Sequence, residues 1–138
     1  MGVDVAATDT HRIAEAEDIV AVRQAVRLKA VEIGLNLVDQ TKIVTATSEL
    51  ARNTLIHGGG GSMTLEVVHN GHRRGIRLTF EDHGPGIADI GLAMKDGYTT
   101  AGGMGLGLGG AKRLSDEFDI DSTPGQGTRV SVLRWGKV

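Results

Sequence analysis

The chain has 138 residues, which is enough for one domain with a substantial hydrophobic core. Aromatic residues make up only 3%, so the core must be built from Val, Ile, Leu and Ala, and the net charge of −2 gives no support for nucleic-acid binding. The chain has no cysteine, no apolar run of transmembrane length and no signal-peptide pattern, so we expect a cytoplasmic protein that engages neither membranes nor nucleic acid.

The first part of the chain predicts a disordered end followed by the domain proper. Residues 1–10 are small and polar and are expected to be disordered, with a single domain over 11–138 and a short edge strand over 11–16. Between Asp18 and Ile33, apolar residues recur at helical spacing and predict an amphipathic helix that ends at Gly34.

A second helix is predicted from Asn36, whose side chain suits an N-cap, to His57, where four glycines follow. At about 100° per residue, one broad arc forms the core face. That arc contains Ile43, Val44, Thr47, Leu50, Ala51 and Leu55. Glu49 and Asn53 fall together on the other side with Ala46 between them, and Arg52 lies at the edge of this polar group.

Two interpretations of Glu49 and Asn53 stay open at this point. In an isolated helix such a pair is most often a solvated polar face. Alternatively, Glu49 is a base that takes a proton from an attacking hydroxyl, and the amide oxygen of Asn53 is a ligand for Mg²⁺. His57, next to a glycine run, is better explained as a feature of the helix end.

Alternating apolar residues predict a β-hairpin and a closing strand. The hairpin strands are 62–69 and 75–81, and Asn70-Gly71 is the turn signal. Arg73 and Arg74 are interpreted as part of a solvated turn. The last strand covers 128–135, with Val130 and Val132 facing the core.

The stretch from Glu81 to Gly110 is rich in glycine and suggests a nucleotide pocket. Asp82 ends an apolar strand directly before Gly-Pro-Gly and is either a turn-forming acid or an acceptor for an amino group such as adenine N6. A short helix is expected over 88–95, a lid over 96–101 and a helix over 111–118. A short strand over 119–123 and a turn over 124–127 follow.

Two common phosphate-binding motifs are excluded. Gly105, Gly107 and Gly110 match G-x-G-x-x-G, but no buried strand precedes them, so a Rossmann fingerprint is rejected. A P-loop pattern is absent from the sequence. Because predicted strands and helices are segregated along the chain, the fold class is α+β, a two-layer α/β sandwich.

Four sequence boxes resemble those of the GHKL ATPases, in the expected order and over nearly the whole chain. Ser48 to Asn53 resembles the N-box, and Glu81 to Ile87 resembles the first glycine box. Gly102 to Leu108 resembles the second glycine box, and Gly125 to Thr128 the closing G-x-G-T. Within the superfamily, the chain is most similar to the RsbT-type serine/threonine kinases, which implies a Bergerat fold with a mixed, mostly antiparallel sheet and helices on one face.

The resemblance implies a role for each matching residue. Glu49 would be the catalytic base, Asn53 the Mg²⁺ ligand and Arg52 a supporting group near the γ-phosphate. Asp82 would bind the adenine amino group with help from Thr128. The nucleotide would also contact glycine-box residues, namely Gly84, Gly86, Gly103, Met104, Gly105, Leu106, Gly107 and Gly109.

The resemblance also implies a function and partners. The expected activity is ATP- and Mg²⁺-dependent phosphorylation of a STAS-domain antagonist protein in a bacterial partner-switching, stressosome-like pathway. A downstream phosphatase or sigma-factor regulator would be a further partner. The alternative is a nucleotide-gated anti-sigma factor or regulatory binding module. A histidine kinase or a gyrase-like ATPase is disfavoured, because each normally needs further domains.

Overall fold

A computed structural model of the protein describes residues 3–88, 90–94 and 107–136. Five strands form one sheet in the order β1-β2-β3-β5-β4. They are β1 (Asp4–Ile13), β2 (Gly61–Asn70), β3 (Arg73–Asp82), β4 (Glu117–Thr123) and β5 (Gly127–Trp135). The helices are α1 (Ala16–Glu32), α2 (Leu37–Ile56), α3 (Ile90–Ala93) and α4 (Gly107–Arg113).

The predicted two-layer α+β sandwich is confirmed. Apolar side chains from α1, α2 and α4 pack with one face of the sheet in a single core, which includes Val26, Leu50, Leu78 and Leu108. One detail differs from the prediction, because every strand pair in the described part of the sheet is antiparallel rather than mixed.

The N-terminal prediction was wrong, because strand β1 begins at Asp4 and continues to Ile13. Residues 4–10 are all exposed in the structure. No buried face therefore imposes the alternation of apolar and polar residues by which a strand is predicted from sequence. Their backbone nevertheless pairs with β2 from Asp4 opposite His69 to Ile13 opposite Gly61, with one irregularity between Val5 and Ala7. Backbone pairing, which leaves no mark on side-chain composition, therefore orders this segment.

The two long helices follow the predicted pattern closely. Helix α1 starts at a capping box formed by Glu15 and Asp18 and ends before Gly34, whose φ of 87° favours glycine. Asn36 is the N-cap of α2, as predicted, and its side chain accepts a hydrogen bond from the Asp39 N–H at 2.8 Å. Ala46 is fully buried, so the residue between Glu49 and Asn53 belongs to the core side of α2.

The β2–β3 hairpin is tighter than predicted. The turn contains only Gly71 and His72, and the φ of Gly71 is 62°. Arg73 and Arg74 lie in β3, so their interpretation as a solvated turn was wrong. The Arg73 guanidinium lies 5.3 Å from the centre of the Trp135 ring, over a small apolar cluster on the outer face of the sheet.

The helix predicted over 111–118 lies earlier in the chain. Helix α4 begins at Gly107 and ends at Arg113, and Phe118 belongs to β4, opposite Val132. Asp116 explains the early stop, because its backbone N–H donates to Leu133 O at 2.8 Å and its carboxylate accepts from the Trp135 N–H at 2.7 Å. These bonds to β5 start the strand pairing before the helical pattern of the sequence is exhausted.

Candidate active site

Glu49 lies on α2 where that helix meets the start of α4. Its side chain is half-buried, and its Oε2 atom accepts a hydrogen bond from the Gly107 N–H at 3.2 Å. Gly107 has a φ of 66°, which favours glycine at this bend. The structure therefore joins the polar face of α2 to the end of the second glycine box.

Asn53 lies one helical turn after Glu49 and is also half-buried. Within the described ranges, its side-chain amide has no hydrogen-bond partner, although its backbone carbonyl accepts from His57 and Gly58. Arg52 is exposed beside it. His57 is the C-cap of α2, in agreement with its interpretation as a feature of the helix end.

Asp82 is the last residue of β3, and its carboxylate is half-buried. Its Oδ1 atom accepts a hydrogen bond from the Gly84 N–H at 2.9 Å, and Thr128 lies directly opposite it on β5. The turn-forming interpretation and the pocket interpretation are thus compatible, because the turn uses one oxygen. The Oδ2 atom has no hydrogen-bond partner among the residues that the structure describes.

Gly58 was not singled out by the sequence analysis, which used the glycine run only as a helix stop. A Cβ atom on Gly58 would lie 2.3 Å from Asp82 Cγ, and one on Gly84 would lie 2.7 Å from Gly58 Cα. The end of α2 therefore packs against both Asp82 and the first glycine box with no room for a side chain. The signal available in the sequence was the unusual length of the glycine run.

The first glycine box rests on the turn between β4 and β5. The Gly125 N–H donates to Pro85 O at 2.7 Å. Gly86 has a φ of 77°, and a Cβ atom there would lie 2.5 Å from Thr123 O. The segment that precedes Thr128 and the segment that follows Asp82 are thereby held as one unit.

Ser122 joins these two segments and was missed by the sequence analysis. Its Oγ atom accepts from the Ile87 N–H at 2.8 Å and donates to Gly127 O at 3.1 Å. It also lies 2.9 Å from Thr128 Oγ1. One signal could have found it, because Ser122 is the polar member of the half-buried β4 positions that otherwise hold Phe118 and Ile120.

Part of the predicted nucleotide site lies outside the described residues. This applies to Gly103, Met104, Gly105 and Leu106 and to the lid expected over 96–101. Gly107 and Gly109 are in α4, and Gly109 is buried.

In the described ranges, no group of three or more His, Cys, Asp or Glu side chains could hold a metal ion. No helix in these ranges is long and apolar enough to cross a membrane.

This arrangement defines a class of protein. An antiparallel sheet covered by helices on one face, with an acid at a strand end beside glycine segments, is the architecture of a GHKL-type ATP-binding domain. Residues 38–136 match the family described as histidine kinase-, DNA gyrase B- and HSP90-like ATPase. The RsbU and RsbW domains of a Mycobacterium tuberculosis protein share the fold with a TM-score of 0.66 at 22% identity, over 96% of this chain and 34% of that one.

Sequence relatives narrow the class. The serine/threonine-protein kinase RsbT of Bacillus subtilis is 47% identical over 90% of this chain and 93% of its own. The anti-sigma F factor of Thermoanaerobacter sp. strain X514 is 31% identical over 82% of both chains. The chain therefore belongs to the GHKL ATPase family and, within it, to the RsbT-type serine/threonine-protein kinases. Protein kinase activity with ATP as the phosphoryl donor follows from this membership.

Proposed function

We propose that this cytoplasmic kinase transfers the γ-phosphoryl group of ATP to a serine or threonine of a STAS-domain antagonist protein in a bacterial partner-switching pathway of the stressosome type. The observation that carries the proposal is the contact between Glu49 and Gly107, which holds a carboxylate against the glycine segment. A carboxylate at that point would repel the triphosphate, so its presence there indicates a chemical role. The 47% identity to RsbT supports the same assignment.

Asp82 and Thr128 form the adenine end of the proposed site. The Gly84 N–H donates a hydrogen bond to Oδ1 of Asp82, so the Oδ2 atom is available to accept a hydrogen bond from the adenine amino group. Thr128, opposite Asp82 in the sheet, would add a second polar contact. Gly84 and Gly86 give the adenine side its shape, since neither position has room for a side chain.

The phosphate end would be formed by the second glycine box. Backbone N–H groups of Gly103, Met104, Gly105, Leu106 and Gly109 are the proposed contacts, because glycine-rich backbone can approach phosphate oxygens closely. The Gly107 N–H instead donates to Glu49. Arg52, exposed beside Asn53, would contribute positive charge near the γ-phosphate.

Asn53 fits the requirements of a Mg²⁺ ligand in such a site. Its amide is half-buried and has no hydrogen-bond partner in the described part of the chain, so a neutral oxygen is available. Mg²⁺ commonly binds to one or two protein oxygens together with substrate phosphates and water, and needs no cluster of acids. When bound, the ion would neutralise charge on the triphosphate.

In the proposed transfer, Glu49 acts as the base. The acceptor hydroxyl gives its proton to a Glu49 carboxylate oxygen while its own oxygen forms a bond to the γ-phosphorus. The bond from that phosphorus to the β,γ-bridging oxygen breaks, and ADP leaves with the electron pair. The Gly107 N–H orients the carboxylate through Oε2, so Oε1 is the oxygen proposed to take the proton.

A second function is favoured by the anti-sigma factor relatives. The 31% identity to the anti-sigma F factor of Thermoanaerobacter is spread over 82% of both chains. A nucleotide-gated regulator that mainly sequesters a partner would keep the adenine site. Such a regulator would not need a base at Glu49.

A labelled-ATP assay tests the proposal. The purified chain is incubated with labelled ATP, Mg²⁺ and a candidate STAS-domain protein, and we expect label on that protein. Glu49→Gln removes the base but keeps the side-chain shape, so transfer should fall about 10²- to 10⁴-fold while ATP still binds. Asn53→Ala should weaken Mg·ATP binding, and Glu17→Gln, at an exposed position on α1, is the matched control.

Three results separate the hypotheses. Transfer that is lost in Glu49→Gln but kept in Glu17→Gln supports the kinase. Stable binding of the partner without transfer in the wild-type chain favours the regulator. Unchanged transfer in Glu49→Gln would remove Glu49 from the mechanism.

A further inference from the structure

A second cleft lies at the end of the sheet opposite the glycine segments. It has a volume of about 570 Å³ and lies between the C-terminal end of α1 and the β2–β3 hairpin. The register of β2 and β3 fixes its position, because Asn70 and Arg73 pair at this end and Gly61 and Asp82 pair at the other. An adjoining cleft of about 260 Å³ shares Ile33, His72 and Arg74 with it.

Three nitrogen-bearing side chains line the larger cleft, namely those of His69, His72 and Arg74. Within the ranges that the structure describes, these three side chains have no hydrogen-bond or ion-pair partner. The Arg74 guanidinium is positive at all physiological pH values and presents five N–H donors, and each imidazole offers at least one. The hairpin thus concentrates hydrogen-bond donors around one concavity.

Negative groups near the cleft are few or already paired. Glu32, at the end of α1, forms an ion pair with Lys29 at 2.6 Å. Asp4 lies opposite His69 in the sheet, but no ion pair joins them in the described structure. The α1 carbonyls of Lys29 and Val31 accept hydrogen bonds from Ile33 and Gly34. In the part of the chain that the structure describes, no ion pair joins Arg74 to a carboxylate.

The other walls of the cleft are apolar. Ala6, Ile33 and Val67 contribute to the lining, and Val67 belongs to the buried core face of β2. Small-ligand sites combine such apolar walls with a few convergent polar groups and have volumes of about 300–1,000 Å³. A cation is a poor match because Arg74 would repel it, whereas an anion matches all three polar groups.

We propose that this cleft binds a small anion carrying phosphate or carboxylate groups, at a site separate from that of the nucleotide. Arg74 supplies the fixed charge and a forked pair of donors, which suits the planar edge of a carboxylate or two oxygens of a phosphate. His69, on β2, and His72, in the hairpin turn, add further donors. The apolar walls accommodate the remainder of the ligand.

Calorimetric and NMR titrations test the proposal on the full chain. The protein is first saturated with Mg²⁺ and a non-hydrolysable ATP analogue, so that added anions cannot occupy the nucleotide site. Inorganic phosphate and citrate are then titrated separately. We expect saturable binding of at least one of them, with the largest chemical-shift changes in the imidazole signals of His69 and His72.

Adjacent arginines give a matched pair of variants. Arg74→Gln removes a charged donor from the cleft and should weaken binding about tenfold or more. Arg73→Gln makes the same change one residue earlier, where the side chain lies over Trp135 on the other face of the sheet, and should leave binding within about twofold. Circular dichroism and nucleotide affinity report whether each variant folds, and His72→Gln replaces Arg74→Gln if that variant does not.

The outcomes are distinct. Saturable binding that weakens in Arg74→Gln and not in Arg73→Gln supports the site. The anion that binds more tightly, phosphate or citrate, then identifies the chemical group that the site recognises. Equal weakening in both arginine variants, or binding that never saturates, would mean an adventitious ion only and would overturn the proposal. No binding of either anion would overturn it as well.

Discussion

Helix α2 carries polar residues near both ends, and these residues differ in burial and in hydrogen bonding. Near its start, Asp39 is buried, and its Oδ1 atom accepts hydrogen bonds from Arg134 Nη2 at 2.7 Å and from Arg134 Nε at 3.1 Å. Near its end, Asn53 is half-buried and its amide has no hydrogen-bond partner in the described residues. A paired, buried group stabilises the fold, whereas an unpaired group at a cleft remains available to a ligand.

The network around Asp39 extends beyond one ion pair. Arg134 also lies 3.6 Å from Asp116 and contacts Leu114 O at 3.5 Å. It therefore connects the start of α2 with the segment between α4 and β4. This end of the molecule is remote from the glycine segments, so its polar residues are expected to affect stability and not transfer.

The largest effect is expected for Asp39→Ala, which leaves the Arg134 charge largely buried without its main partner. Removing one member of a buried ion pair costs about 3–5 kcal/mol of unfolding free energy. Urea denaturation of the two proteins measures this difference. Replacing both members, as Asp39→Leu with Arg134→Met, should recover most of the loss because no uncompensated charge remains.

Kinase assays on the folded fraction test whether the two ends of α2 have separate roles. Asp39→Ala should keep the wild-type rate per folded molecule, and Asn53→Ala should keep the wild-type unfolding free energy. A slow but fully stable Asp39→Ala protein would show that the two ends of α2 do not have the separate roles assigned to them.

Local patterns predicted the elements whose side chains alternate between core and solvent. The core face of α2 and the inward residues of β5 agree with the structure, because burial imposes a period on the sequence. The exception is Ala46, which was placed on the polar side of α2 and is buried. The failures have a common cause. Strand β1 has no buried face over residues 4–10, and the end of α4 is set by hydrogen bonds from Asp116 to β5, so neither leaves a local pattern.

The candidate site divides along the same line. The pairing of Glu49 and Asn53 on one face follows from helical geometry within a short segment, and could be predicted. The contacts of Gly58 with Asp82 and of Ser122 with Ile87 join residues far apart in sequence. Only the register of the sheet brings these residues together, and a single sequence does not reveal that register.

Ser122→Ala should have the next largest effect, on nucleotide affinity. The substitution removes three hydrogen-bonding contacts, of which the one at 2.9 Å orients Thr128 Oγ1 beside the proposed adenine site. An unsatisfied polar group costs about 1–3 kcal/mol, which corresponds to a rise of about 5- to 150-fold in the Kd for ATP. Equilibrium binding of a fluorescent ATP analogue to the variant and to the wild type measures this change in Kd.

Ser131→Ala is the control for this prediction. Ser131 lies on the neighbouring strand β5, where its hydroxyl is 3.3 Å from that of Thr79, away from the glycine boxes. The same chemical change there should leave the Kd unchanged. If both serine variants weaken ATP binding equally, Ser122 acts through general stability and does not position Thr128.

The smallest effect is expected at Asp18, in the capping box of α1. Hydrogen bonds from the backbone N–H groups of Ala14 and Glu15 lower the pKa of this carboxyl, with a smaller contribution from Arg12. Because the pKa is depressed in the folded state, the stabilisation is present above the unfolded value of about 3.9 and is lost as the pH falls through the folded value. Asp18→Asn should therefore lower the urea midpoint at pH 7, and the difference from wild type should shrink towards pH 3.

Glu17→Gln is the control for this prediction. It changes the neighbouring acid in the same helical turn, where the side chain makes no hydrogen bond in the described structure, and it should show a smaller difference at pH 7. A difference at Asp18 that stays constant from pH 7 to pH 3 would mean that the shape of the side chain, and not its charge, supports the start of α1.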